Sequence, residues 1–245
     1  MGGMEENKPW YGKAWAKALI AVGVLVLFGV IVFGRQTYIF YSNLKQGQKP
    51  VFYQPRRFSG TLKQDSRPPS VDPETQKRKV LGSADEPFAG PATATHVIVE
   101  FLDFDCPYCK EALNSVHDIL SLRRDVKVII RDYPLIDIHP DAEMAAKAAR
   151  CIWRQGKTGM YWKYHDLLFA NQGSHDSDTL QSLAAQVGAD SRFQPCVQGG
   201  LEDGRVQQSI IDAKAAGVSV TPTFFVDGVM VEGAADAQSL LNLMK

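Results

Sequence analysis

The sequence has no excess of either charge: 27 lysines and arginines balance 27 aspartates and glutamates over 245 residues. No basic block interrupts that balance, so there is no electrostatic footprint for nucleic acid, and no such partner is expected. Cysteine is scarce. Cys106, Cys109, Cys151 and Cys196 are too few to staple a mini-protein, so their meaning has to come from position. Cys106 and Cys109 have no second Cys-x-x-Cys beside them and no paired His-x-x-x-His, which excludes a four-ligand structural zinc site; no metal is expected. No internal repeat is visible. What remains, 45% hydrophobic and 22% charged, is globular composition, enough for one sizeable domain with appendages.

Charge is also missing from Ala18 to Gly34, a run of 17 residues. As a helix it would be about 25 Å long, near the lower limit for crossing a hydrocarbon core. Trp10, Tyr11 and Trp15 precede it and Tyr38, Phe40 and Tyr41 follow, as in an interfacial aromatic belt. We read 1–17 as a cytoplasmic tail and 18–41 as one transmembrane anchor, with 18–34 in the bilayer. The rivals are a cleaved signal peptide ending near Val32 or Gly34, and a buried helix of a soluble core. Lys8, Lys13 and Lys17 before the run match Arg35, Lys45 and Lys49 after it, so flanking charge does not orient it. From 42 to 94 the chain is rich in Gln, Lys, Pro, Ser and Asp and reads as an extended polar tether, with Val51–Tyr53 as a short strand candidate.

Beyond the tether the pattern changes. "HVIVEFLD" (96–103) fits a buried strand. A helix is predicted from Cys106, with Asp105 as N-cap and Pro107 in the first turn, where its missing N–H costs nothing. "VKVIIRDYPL" gives the next strand, and a long helical stretch runs from about 137 to 217. "VTPTFFVDG" and "VMVEG" then make a hairpin before a closing helix. Strand, helix, strand, helical block, hairpin and helix imply an α/β domain over 95–245 with an all-helical insertion.

A Cys-x-x-Cys on the first turn of a helix gains thiolate character from the partial positive charge there. Cys106 sits at the exposed start. Cys109 lies one turn inward on the same face, close enough to close a disulfide. Cys106 would then be the nucleophile and Cys109 the resolving thiol. Asp105 is an awkward neighbour, because a carboxylate opposes thiolate formation; it is expected to point into solvent. A Cu(I) site and two inert core thiols are the other readings of the pair.

"VEFLDFDCPYCKEAL" and "GVSVTPTFFVDG" resemble the DsbA-like branch of the thioredoxin-fold oxidoreductases, over roughly Thr95 to Lys245. The 112 residues between Cys109 and Pro222 exceed a single βαβ crossover and disfavour the glutaredoxin branch, which shares Pro107–Tyr108. The resemblance implies a thioredoxin-like α/β fold with an inserted helical subdomain, here preceded by one transmembrane helix. It makes Glu100 a buried catalytic acid that exchanges a proton with the inner thiol. It makes Thr221–Pro222 a cis-proline loop that presents backbone groups to a substrate strand, with Pro107 and Tyr108 completing the substrate-binding set. It implies a structural disulfide between Cys151 and Cys196 in the insertion. Tyr161, Trp162, Tyr164, Leu168 and Phe169 read as helix core. His96, His117, His139, His165 and His175 are scattered, and none has a claim to catalysis from sequence. Tyr108 stands where strong oxidases of the family place a histidine.

Together these readings give a single-pass membrane protein with its C-terminal domain on the extracytoplasmic, periplasmic or outer, face. It would exchange disulfides with cysteine-containing extracytoplasmic proteins, probing them through Cys106–Cys109, as a disulfide donor reoxidised by a membrane redox partner. No cofactor is expected beyond that redox-active pair. The alternatives are a reductase or isomerase on the same fold, and a tethered copper-binding or chaperone module.

Overall fold

In the computed structural model of the protein the described residues are 73–244, with 18–23, 26 and 34 upstream. Residues 18–23 are helical, with Leu19, Ile20 and Val22 exposed. Among the described residues no helix is long and apolar enough to cross a membrane. The tail at 1–17, the rest of the anchor expected over 18–41, Val51–Tyr53 and the tether as far as 72 lie outside the described residues.

Residues 73–244 build a five-stranded mixed sheet. Its strands are β1 (Phe88–Ala89), β2 (His96–Leu102), β3 (Val126–Asp132), β4 (Thr223–Val226) and β5 (Val229–Glu232), in the order β1-β3-β2-β4-β5. β2 and β3 are parallel and joined by helix α2 (Pro107–Leu122); the other three pairings are antiparallel. β2 is central, and its near-continuous apolar run reflects burial on both faces. Side-chain alternation divides it. Ile98 and Leu102 enter a core with Phe224, Cys106, Cys109 and the helical block, while Val99 and Phe101 enter a second core with Phe225 and Ala213. Glu100 shares the period of Ile98 and Leu102, which turns it toward the cysteine side.

The helices between β3 and β4 are α3 (Ala142–Ala170), α4 (Ser177–Gln186), α5 (Phe193–Gln198) and α6 (Asp203–Ala215). α3 is two helices across a kink at Lys157, whose φ of 48° is left-handed. Tyr161, Tyr164, Leu168 and Phe169 are buried in the core, and Trp162 packs against it. A disulfide between Cys151 and Cys196 ties α3 to α5, with Cα atoms 6.0 Å apart.

Part of the segment whose composition reads as tether is folded. Residues 73–94 belong to the folded unit: α1 (Pro73–Leu81) buries Val80, and β1 pairs with β3. The cause is a set of buried ions that composition does not reveal. Arg131 on β3 donates to the carbonyls of Lys79 (2.8 Å) and Val80 (3.1 Å) and to Asp212 on α6 (3.1 Å). Gly82, at φ 71°, lets the backbone pass so close that a Cβ there would lie 2.3 Å from the guanidinium. Arg150 on α3 binds Glu86 (2.7 Å) and Asp132. The apparent linker is a strap held by two buried arginines.

Candidate active site

The redox pair sits where β2 ends and α2 begins. Pro107 occupies the first helical position and disfavours helical backbone in the residue before it, so Cys106 is extended (φ −74°, ψ 121°) and is itself the N-cap. The expected cap, Asp105, lies one residue too early. Asp103, two residues before it, carries the turn. Its backbone carbonyl accepts from Cys106 N (3.1 Å), and its carboxylate accepts from Asp105 N (2.7 Å), Leu135 N (2.8 Å) and His139 Nδ1 (2.8 Å).

Cys106 and Cys109 are both free thiols, and both are buried. Cys106 is only 3% exposed, against the expectation of an exposed start. Elements remote in sequence cover it. Cys106 Sγ donates to Thr221 O (3.3 Å), and Gln172 Nε2 in the turn after α3 donates to Cys106 O and Phe104 O, both at 2.9 Å. Tyr108, by contrast, is 59% exposed. The Thr221–Pro222 bond is cis. Pro222 precedes β4 instead of lying inside a strand, and its carbonyl accepts from Gly233 N (2.8 Å).

The two thiols differ in acidity. A hydrogen bond from Cys109 is the main cause that lowers Cys106 from 9.0 to about 6, assisted by the backbone N–H groups of Cys109 and Tyr108 at the helix start. Burial pushes Cys109 well above the ordinary thiol range, and the neighbouring Cys106 adds to it. Burial likewise raises Glu100, 2% exposed, from 4.5 to about 8, with a smaller contribution from the Cys106 charge. The site therefore contains an acidic thiol, a reluctant thiol and a carboxyl that holds a proton near neutrality.

The structure brings Cys106, Cys109, Glu100, Pro107, Tyr108, Thr221 and Pro222 to one end of the sheet. Cys151 and Cys196 are elsewhere, inside the insertion. Among the described residues no cluster of His, Cys, Asp and Glu is arranged to hold a metal ion. Sequence reasoning missed Asp103, His139, Gln172 and His175. The last stands 3.0 Å from Asp105, whose side chain is only 9% exposed and does not face solvent as expected. Only Asp103 carried a local signal, as an acid three residues before the first cysteine; the others arrive from the insertion side.

A family model described as Thioredoxin matches residues 83–245. Over 152 residues, 62% of this chain, the sequence is 37% identical to Na(+)/H(+) antiporter NhaA 3 of Salinispora tropica. That stretch is only 23% of the antiporter, so the chain spans about a quarter of the curated relative it matches. Among solved structures it is similar to a thioredoxin-like oxidoreductase from Silicibacter pomeroyi (24% identity, TM-score 0.61, 68% of this chain and 94% of that one). It is also similar to the thiol-disulfide exchange protein α-DsbA2 from Wolbachia pipientis (21% identity, TM-score 0.63, 69% of this chain and 90% of that one). The chain belongs to the thioredoxin family and carries the fold of its DsbA-like thiol–disulfide oxidoreductases.

Proposed function

We propose that the protein donates the Cys106–Cys109 disulfide to cysteine-containing proteins outside the cytoplasm. What carries this reading is the unequal setting of the pair: Cys109 and the N–H groups at the helix start stabilise the Cys106 thiolate and lower it to about 6, while complete burial holds Cys109 well above the ordinary thiol range. In the oxidised protein a substrate thiolate attacks Cys106 Sγ, the Cys106–Cys109 bond breaks, and Cys109 leaves as a thiolate. That thiolate takes a proton at once, and Glu100, protonated up to about pH 8, is the group positioned to supply it. The second substrate thiolate attacks the substrate sulfur of the mixed disulfide and releases Cys106 as a stable thiolate. Two electrons have then moved from the substrate dithiol to the protein, while the two substrate protons go to the solvent, which returns one to Glu100 and leaves Cys106 as the thiolate. An acidic Cys106 leaves readily and stabilises the dithiol form, which makes the disulfide the stronger oxidant. That favours donor over reductase, although Tyr108 replaces the histidine of strong oxidases. Thr221 and Pro222, with Pro107 and Tyr108, line the edge where a substrate strand would lie, and no cofactor is needed.

The disulfide between Cys151 and Cys196 supports an oxidising compartment. Ion antiport takes place across a membrane, so the segment shared with an antiporter supports a membrane-proximal setting. Both fit a single-pass anchor over 18–41 with 18–34 in the bilayer, a tether beyond it, and a folded domain over 73–244 reoxidised by a membrane redox partner.

The test is the equilibrium potential of the full chain against glutathione. A value well above about −270 mV, the thioredoxin figure, supports donation; a value at or below it means a reductase. Stoichiometric Cu(I) uptake by the reduced protein without exchange activity would instead support a copper-binding module.

A further inference from the structure

The chain enters α2 through a four-residue turn, Asp103 to Cys106, closed by the hydrogen bond from Cys106 N to Asp103 O (3.1 Å). The peptide between the central residues of such a turn is the one whose rotation interconverts types I and II. Here that peptide joins Phe104 to Asp105, and both of its polar ends are held. Asp105 N donates to Asp103 Oδ1 (2.7 Å), and Phe104 O accepts from Gln172 Nε2 (2.9 Å). Asp105 keeps a negative φ, on the type I side of the flip. Rotation of the peptide would give it the positive φ that residues other than glycine seldom adopt.

Gln172 also holds the end of the turn. A carboxamide nitrogen carries two hydrogens, and the second is donated to Cys106 O, again at 2.9 Å. That carbonyl accepts as well from Cys109 N (3.1 Å) and Lys110 N (3.2 Å) in the first turn of α2. One side chain of the insertion therefore fixes both the entry to the redox helix and its first carbonyl. Phe104 is fully buried, so solvent cannot stand in for the donor that Gln172 supplies. Gly173 makes the placement possible: it stands at φ 77°, and its N–H donates to Asp105 Oδ1 (2.9 Å). A Cβ at Gly173 would meet nothing within 4 Å, so the demand there is on conformation and not on space.

We propose that Gln172 is a positioning residue for thiol–disulfide exchange: by holding the carbonyls of Phe104 and Cys106 it keeps the Phe104–Asp105 peptide from flipping and aims Cys106 Sγ at the incoming sulfur. The aim matters because the attacking, central and leaving sulfurs of an exchange step must line up. Cys106 Sγ reaches Thr221 O (3.3 Å) from this same backbone position, on the edge where a substrate strand would lie. The helical insertion thus sets the reactivity of a nucleophile that the β2–α2 turn supplies.

This role rests on Cys106 being the nucleophile of the proposed function. In the full chain, Gln172→Met keeps the length of the side chain and loses both hydrogens. The assay is steady-state oxidation of a synthetic dithiol peptide with glutathione disulfide as oxidant, at a temperature where circular dichroism shows every chain folded. There kcat should fall about tenfold while KM moves by less than about twofold. Alkylation of the reduced chain by iodoacetamide, a small reagent that needs no aligned disulfide, should not slow, because the variant uncovers the thiol. A kcat near the parent value, or one that rises together with alkylation, makes Gln172 a mere cover and overturns the proposal. If Gln172→Met does not fold, Gly173 decides. Gly173→Asn, which tolerates the left-handed turn, should keep most of the parent kcat, whereas Gly173→Val should lose about as much as Gln172→Met. Equal rates in those two variants refute the role. A parent chain alkylated at Cys109 before Cys106 brings down the functional reading and this role together; Cys106-first alkylation with an unmoved Gln172→Met brings down this role alone.

Discussion

Glu100→Gln should make the domain more stable, and by an amount that depends on pH. Native Glu100 keeps its proton up to about pH 8, whereas the ordinary glutamate value is 4.5. Between those values the native state binds more protons than the unfolded chain, so stability is greatest below the lower value, falls as pH rises through the window, and levels above the upper one. Glutamine has no proton to lose and keeps nearly the same shape. At 1.36 kcal/mol per unit, the advantage of Gln is near zero at pH 4, up to about 3 kcal/mol at pH 7 and up to about 5 kcal/mol above pH 8. Burial is the larger cause of the shift and Cys106 the smaller. The measurement is therefore cleanest in a Cys106→Ser/Cys109→Ser background, where no reductant is needed and the disulfide between Cys151 and Cys196 stays intact. Urea unfolding of both chains from pH 4 to 9 gives the curve. Equal stabilities at every pH, or a constant offset, would refute the claim that Glu100 is buried as a neutral acid.

Further outcomes follow from the same geometry. Cys109→Ala removes the hydrogen bond that most lowers Cys106, so the thiolate transition should climb from about 6 toward 9; a transition that stays at 6 would assign the acidity to the helix start instead. At mildly acidic pH, alkylation of the reduced protein should modify Cys106 before Cys109, as peptide mapping would read. Replacing Cys151 and Cys196 by alanine opens a loop of 45 residues and should cost about 4 kcal/mol in chemical denaturation. Arg150→Met leaves Asp132 buried without its hydrogen-bonded cation and Glu86 with only Arg131, 3.8 Å away. It should cost about 3–5 kcal/mol and expose residues 83–89 to limited proteolysis, whereas an unchanged digestion pattern would mean that the strap is held by other contacts.

The local features were legible in the sequence. The apolar run at 96–102 and the Cys-Pro-Tyr-Cys turn follow from period, spacing and proline chemistry, which act between near neighbours, whereas the cis Thr221–Pro222 element was implied by the resemblance of its motif to a family. The helical character of 137–217 was legible for the same reason, because the aromatic residues of α3 repeat at helical intervals. The rest depends on contacts between segments far apart in the chain. Residues 73–94 read as tether because their composition is polar; they fold because Arg131 and Arg150, distant in sequence, satisfy carbonyls and carboxylates there. Cys106 reads as exposed because it begins a helix; it is buried because Thr221 and Gln172 close over it from 115 and 66 residues away. Asp105 reads as a solvated cap, yet it faces His175, which lies in a different turn. A lone histidine or arginine carries no local signal of its partner, since ion pairing depends on where the fold returns the chain and not on periodicity along it.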